Sequence, residues 1–253
     1  NAHVGPDSGS RGCRIVCKSG EVLVADHVIV TSSVGFLKNN LDFFRPPLPT
    51  EYYKGLDSLG FDTVNKIFLV YDKPWWITGL KGIQIVWSSC TTQIPQVNEE
   101  MIWTRGLSGF DTVVGSGNVL LGWLGGEEAA MMEAVESTDD VGRHCTYILR
   151  LFTGRSDIPQ PKKVIRSQWG SSKYICGGYS HIKKESISRK GTDDPREALF
   201  RPVKTVISDG KEVPRIFFAG EAISRSHYST THGAYESGRA QANALIKYII
   251  RDG

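Results

Sequence analysis

The sequence predicts an α/β unit of the parallel type, divided in two by a strand-rich α+β insertion. Three observations predict it. The run His27-Val28-Ile29-Val30-Thr31 is almost wholly apolar and β-branched, the composition of a strand buried on both faces. Near the other end, Arg215-Ile216-Phe217-Phe218-Ala219-Gly220 is a second such run, and it leads through a loop into a helical pattern over 232–250. Between them lie alternating segments and two helical patterns that resemble neither end. Residues 10–45 and 205–253 are therefore assigned to one discontinuous domain, and 46–204 to the inserted one.

Residues 1–12 are small and polar and read as a loop. Two short alternating runs, 13–17 and 21–24, flank Lys18-Ser19-Gly20 and predict a hairpin. Pro46, Pro47 and Pro49 then punctuate the chain, and Thr50 opens a helix that Gly60 ends. Strands are expected over 64–71, 82–87, 101–106 and 119–124, followed by helices over 127–136 and 139–152. A further strand is expected over 163–169, and the charged stretch 182–204 reads as a loop. In the last helix, Tyr235, Ala242, Leu245, Ile246 and Ile249 share one face, predicted to be the inner one.

A net charge of +3, with charges mixed along the chain and no basic stripe, gives no indication of nucleic acid. No apolar run approaches the roughly 20 residues of a membrane span. The five cysteines are odd in number and irregularly spaced, without a zinc pattern, which predicts reduced intracellular thiols. The chain starts at Asn1 rather than Met, so an upstream segment with any targeting signal is expected to be missing, and Ile250-Arg251-Asp252-Gly253 is no peroxisomal-type terminus.

Three places carry candidate chemistry. Lys66 shares a strand face with Val64, Phe68 and Val70. A lysine in apolar surroundings tends to lose its proton and can assist proton transfer, but a lysine at a sheet edge simply reaches solvent. Gly220-Glu221-Ala222 follows a strand end, where α/β folds bind ligands, and Thr230-Thr231-His232-Gly233 opens a helix whose bare N–H groups attract an anion or polarised carbonyl. Without a ligand the same residues make a Thr-capped helix. Trp169, Tyr174 and Tyr179, around Cys176-Gly177-Gly178, can wall a planar ring or serve as core aromatics.

In order along the chain stand Ala25-Asp26-His27-Val28-Ile29-Val30-Thr31 with Gly35-Phe36-Leu37-Lys38, Asn65-Lys66-Ile67-Phe68-Leu69, Arg166-Ser167-Gln168-Trp169-Gly170-Ser171, Gly177-Gly178-Tyr179-Ser180, Phe218-Ala219-Gly220-Glu221-Ala222 and Tyr228-Ser229-Thr230-Thr231-His232-Gly233-Ala234. Together they resemble the flavin amine oxidases, most closely the animal spermine and acetylpolyamine oxidases, over nearly the whole chain. The resemblance implies the distal part of an FAD/NAD(P)-binding, Rossmann-like domain with a mixed-sheet, helix-flanked substrate domain inserted.

It implies that Lys66 holds a water at flavin N5, that Trp169 and Tyr174 pack beside the flavin, and that Gly220 and Glu221 meet the ribityl–pyrophosphate part of FAD. It further implies that Thr230 and Thr231 meet the flavin at the helix start and that Tyr179 lines the amine channel. The implied reaction oxidises a secondary amine of spermine or an acetylated polyamine to an imine, with O2 reduced to H2O2. The enzyme is expected to be intracellular, in the cytoplasm, with the peroxisome and nucleus as open alternatives.

Gly178 stands where monoamine oxidases carry the flavin-linking cysteine, so FAD is expected to be non-covalent. Thr230 replaces a cage aromatic, which points to polyamines. Ile223-Ser224 departs from the family's Thr-His. The glycine-rich G-x-G-x-x-G fingerprint is absent, so this chain alone is expected to bind FAD weakly and to need a missing amino-terminal half. Two alternatives remain: a flavin histone demethylase-like oxidase, although 124–163 leaves no room for that group's helical insertion, and a truncated, non-catalytic product.

Overall fold

The structure is a computed structural model and describes residues 3–6, 12–87, 97–187 and 194–252. The chain divides into two compact units, one formed by Asn1–Phe61 with Lys173–Gly253 and one by Asp62–Ser172. In chain order, the first unit begins with β1 (His3–Pro6), β2 (Cys13–Val16), β3 (Val22–Ala25), β4 (Val28–Val30), α1 (Val34–Asn39), α2 (Thr50–Asp57) and β5 (Leu59–Phe61). The second holds β6 (Val64–Val70), β7 (Gly82–Gln84), β8 (Gly109–Thr112), β9 (Val119–Gly125), α3 (Gly126–Ala134), α4 (Thr138–Thr153) and β10 (Lys163–Arg166). The first unit then resumes with β11 (Ser180–Ile182), β12 (Val203–Val206), β13 (Glu212–Phe218) and α5 (Thr231–Asp252).

In the first unit, the two apolar runs at opposite ends of the sequence pair in parallel, with Ile216 opposite Val28 and Phe218 opposite Val30. β12 adds an antiparallel edge to β13, giving the sheet order β12-β13-β4. The predicted hairpin forms as β2 and β3, and β1, within the stretch expected to be a loop, pairs with β2 along its other edge.

The unit boundaries differ from the expected 45/46 and 204/205. Residues 46–61 and the described residues from 173 to 204 pack with the first unit because their apolar side chains share its core. Leu48, Tyr52, Leu56, Leu59 and Leu199 cluster with Val30, Ile216 and Phe218. Prolines mark a change of chain direction, not a change of core, and this core runs past them.

The second unit is a five-stranded sheet of order β10-β6-β9-β8-β7, antiparallel at every pairing. One face packs against α3 and α4 around Ile67, Leu69, Leu120, Met132, Ile148 and Leu149, all fully buried. α4 ends before Gly154 as expected, with that glycine in the left-handed region, but it starts one residue before the expected 139, because the cap is Ser137, whose hydroxyl accepts from the Asp139 and Asp140 amides.

Local capping overrides one expectation from apolar pattern and adds one unexpected helix. Residues 101–106 lie in a 3-10 helix, Glu99–Gly106, because the Asn98 side chain accepts from the Met101 amide and starts a helical turn. The helix α1 was not expected, and it too starts from a side-chain cap, with Ser33 Oγ accepting from Phe36 N at 3.0 Å. The strand expected over 82–87 ends at Gln84, and the stretch expected to be a loop from 182 onward carries short 3-10 turns and β12. Cys90 lies outside the described residues; the described cysteines, Cys13, Cys17, Cys145 and Cys176, are unpaired with one another.

Candidate functional site

The sequence-predicted site residues fall in both units. Gly220, Glu221, Thr230, Thr231, Tyr174 and Tyr179 belong to the first; Lys66 and Trp169 belong to the second.

In the first unit the carboxyl ends of the parallel strands β4 and β13 open onto an apolar-walled cavity of about 360 Å3, lined by Val30, Thr31, Tyr174, Gly178, Phe218, Gly220 and Glu221 among others. This is the position at which open parallel sheets bind ligands. Gly220 adopts φ 141°, and a Cβ added there would meet no atom within 4 Å, so a ligand has free approach to the backbone.

The start of α5 is tightly determined. Thr230 Oγ1 accepts from Gly233 N at 3.1 Å and donates to His227 O at 2.6 Å, so this hydroxyl is the helix cap. Gly233 is required here, because a side chain would run into the His227 carbonyl. Thr231 and His232 are exposed, and the N–H groups of a first helical turn have no acceptor within the helix. Positive electrostatic potential is therefore offered at that end.

Glu221 is engaged within the protein. Its carboxylate accepts from Ser180 N at 3.1 Å, Ser180 Oγ at 2.7 Å and Ser229 N at 2.8 Å. Tyr174 and Tyr179 are 66% and 49% exposed, so neither is a core aromatic of this unit. Arg196, not singled out in the sequence, is buried beneath the 222–228 loop. Its guanidinium pairs with Asp194 at 2.8 Å, donates to the carbonyls of Ala222 and Ser224, and stacks on Tyr228. Burial pushes the Asp194 carboxyl up, but the hydrogen bonds from Arg196 outweigh it and hold the group below the ordinary range.

In the second unit, Lys66 lies on β6 between β10 and β9, not at a sheet edge. Its face of the strand, with Val64, Phe68 and Val70, is half-buried, and Asn65, Ile67 and Leu69 form the buried face. The ammonium sits 4.4 Å from the centroid of the Trp123 ring, a cation–π contact.

Beneath it is a network that sequence reading missed. Fully buried Asn65 donates to Glu133 Oε1 at 2.6 Å and accepts from Ser167 Oγ at 2.8 Å and Trp169 N at 3.1 Å. Ser167 Oγ in turn accepts from Lys66 N, and Glu133 also accepts from the Gly170 and Ser171 amides. Burial pushes the Glu133 carboxyl up, yet hydrogen bonds from Asn65, Ser171 and the Gly170 amide lower it overall. The network fixes the loop that carries Trp169, which is 46% exposed. The available signal was an Asn inside a β-branched strand, a residue type that strands disfavour unless it is hydrogen-bonded.

One expectation for α5 is corrected. Tyr235, Ile246 and Ile249 are exposed, and the buried line is Gly233, Ser237 and Gln241. Ser237 Oγ bonds Gly220 O, and Gly220 N bonds Ser237 Oγ, so a polar i, i+4 line faces inward here. Among the described residues no His, Cys, Asp or Glu group has the arrangement of a metal site, and no helix is long and apolar enough to cross a membrane.

Residues 4–246 match the family described as flavin containing amine oxidoreductase. The chain belongs to that family. It is 38% identical over 239 residues to a bovine peroxisomal N(1)-acetyl-spermine/spermidine oxidase, and 39% identical over 238 residues to the human protein of that name. These matches cover 92% of this chain but 44% and 45% of those relatives, so the chain spans less than half their length. A possible lysine-specific histone demethylase 1 of Drosophila melanogaster is 29% identical over 96% of this chain and 27% of its own.

Among solved structures, a cyclohexylamine oxidase from Brevibacterium oxydans superimposes with a TM-score of 0.68 at 18% identity, over 99% of this chain and 49% of that one. A putrescine oxidase bound to putrescine gives 0.66 at 18%, over 97% and 48%. At that identity the likeness is one of fold, and the fold is that of the flavin amine oxidases.

Proposed function

We propose that the chain supplies the flavin-facing and amine-facing parts of a polyamine oxidase that acts on spermine or an N1-acetylated polyamine. The observation that carries this reading is the junction of Gly220-Glu221 with the cavity at the carboxyl ends of β4 and β13, in the same unit as the exposed start of α5. The relatives at 38% and 39% identity bear the name of acetylated polyamine oxidases, which favours this substrate class over the demethylase alternative.

The residues present fit a non-covalent FAD. The cavity wall is apolar, Gly220 leaves the backbone open to approach, and the α5 start offers bare amides to an electron-rich edge. Gly178 has no sulfur with which to form a flavin link. An amino-terminal half carrying the dinucleotide fingerprint completes the binding site in this reading.

Bound FAD supplies the two-electron chemistry by which an amine becomes an imine and O2 becomes H2O2. Lys66 would serve as the donor that holds a water for the reaction, with Trp123 limiting where its ammonium can go. Trp169 and Tyr174 supply flat apolar surface, Tyr179 borders the amine path, and Thr230 keeps the α5 amides aimed.

Lys66→Met in the flavin-loaded protein tests the reading. Amine-driven bleaching of the visible flavin band, or reoxidation by O2, slows by about 10²-fold, the scale of losing one proton-transfer group, with flavin content unchanged. Wild-type rates for both half-reactions would refute the role of Lys66. Peroxide release from a methylated lysine peptide, with none from spermine or acetylspermine, would replace polyamine oxidation with the demethylase alternative.

A further inference from the structure

We propose that Glu221 is a positioning residue that acts through Ser180 and Ser229 and is not chiefly a ligand of the cofactor. The inference rests on the reading above and assigns this carboxylate a different task within it.

Ser180 is completely buried, and its amide and hydroxyl both end on Glu221, 41 residues away. The Ser229 amide ends on the same carboxylate, and the Ser229 hydroxyl turns back to donate to the Ser180 carbonyl. Three segments are thus joined in one closed hydrogen-bonded knot. A carboxylate has about four acceptor directions, and three are taken, so little capacity remains for a ligand hydroxyl.

The residues beside the knot are those that meet the ligands in the reading above. Tyr179 directly precedes Ser180, and Thr230, the cap of α5, directly follows Ser229. Ser229 itself holds φ 65°, a left-handed conformation that a non-glycine residue keeps only when its surroundings enforce it. The bond from its amide to Glu221 is such an enforcing contact. The knot therefore sets the position of an amine-path wall and of the amide end of α5 at once, and the two move together if it opens.

The test compares Ser180→Ala, Glu221→Gln and the double variant, all close to isosteric, in the complete chain. One readout needs neither flavin nor amine: amide hydrogen exchange. Ser180→Ala never touches the Ser229 amide directly, yet that amide exchanges about tenfold faster if the knot is cooperative, the ratio expected for loss of one charge-assisted hydrogen bond. In the flavin-loaded enzyme each single variant raises the amine KM about tenfold while kcat stays within about threefold, and the double variant is no worse than the more severe single one.

Flavin lost from Glu221→Gln but kept by Ser180→Ala would overturn the inference in favour of direct cofactor binding. So would KM effects that multiply in the double variant, or a Ser229 amide whose protection ignores Ser180→Ala. A wild-type chain that shows neither bound flavin nor amine-dependent peroxide would instead sink the oxidase reading, and the exchange measurement would still decide the knot.

Discussion

Asn65 is the residue on which the second unit's site loop depends, and its removal has a calculable cost. Asn65→Leu keeps the volume, so no sizeable cavity opens and the change is one of hydrogen bonding. The substitution removes the donor at 2.6 Å from Glu133 and the acceptor of the Ser167 hydroxyl and the Trp169 amide. A buried polar group left without its partner costs about 1–3 kcal/mol.

The Ser167 hydroxyl can rotate toward another acceptor, so two groups bear the loss. Both lie in part-buried ground where water recovers some of it. The expected destabilisation is therefore about 3 kcal/mol, a large share of the roughly 5–15 kcal/mol that holds a domain folded. Asn65→Asp adds a second test. It sets a carboxylate against Glu133, so one of the pair must bind a proton in the folded state. The folded state then takes up more protons than the unfolded one near neutrality, and this variant recovers stability as the pH falls from 7 to 5.

Urea unfolding followed by tryptophan fluorescence at the two pH values measures both effects. A loss below about 1 kcal/mol for Asn65→Leu, or an equal loss at both pH values for Asn65→Asp, would refute the claim that this network holds the Trp169 loop.

Arg196→Met strands the Asp194 carboxylate and the Ala222 and Ser224 carbonyls and is expected to cost about 3–5 kcal/mol, read as a drop in thermal midpoint; a change of under about 1 kcal/mol would contradict the buried-pair account. Wild-type stability should fall on acidification: Glu133 and Asp194 both have folded pKa values below their ordinary 4.5 and 3.8, so their contribution is complete above those values and is lost as pH drops through the folded ones. A flat unfolding midpoint between pH 5 and about pH 3 would argue against it. Denaturing the flavin-loaded protein should release all its flavin through a size-exclusion filter, and flavin that stays with the chain would contradict the argument from Gly178.

Much of the architecture was legible because it is written in local terms. The two buried strands announced themselves as continuous apolar runs, and both proved to be neighbours in one parallel pair. The carboxyl end of α4 was readable because Gly154 stops it through its own backbone freedom, whereas the helix begins one residue earlier than expected, on the Ser137 cap. Where a side-chain cap competed with an apolar run, at Asn98, the cap prevailed and periodicity misled, and at Ser33 a cap started a helix that no periodicity had signalled.

Motif order alone identified the family, since six short segments in a fixed order are legible without knowing how the chain packs. What the sequence could not supply is which polar atoms share one acceptor. Asn65 with Glu133, Arg196 with the 222–228 loop, and Ser180 with Glu221 lie 68, 26 to 28 and 41 residues apart. Their partnerships arise because a buried polar group must find a hydrogen bond wherever the packed chain happens to offer one. The same holds for α5: its apolar stripe predicted an inner face, and the fold instead turned Ser237 and Gln241 inward, because Gly220 and the 200–224 segment present polar backbone at that surface. Sequence determined the elements and the chemical repertoire; tertiary structure decided which side chains hold that repertoire in place, because only folding sets the distances over which a hydrogen bond acts.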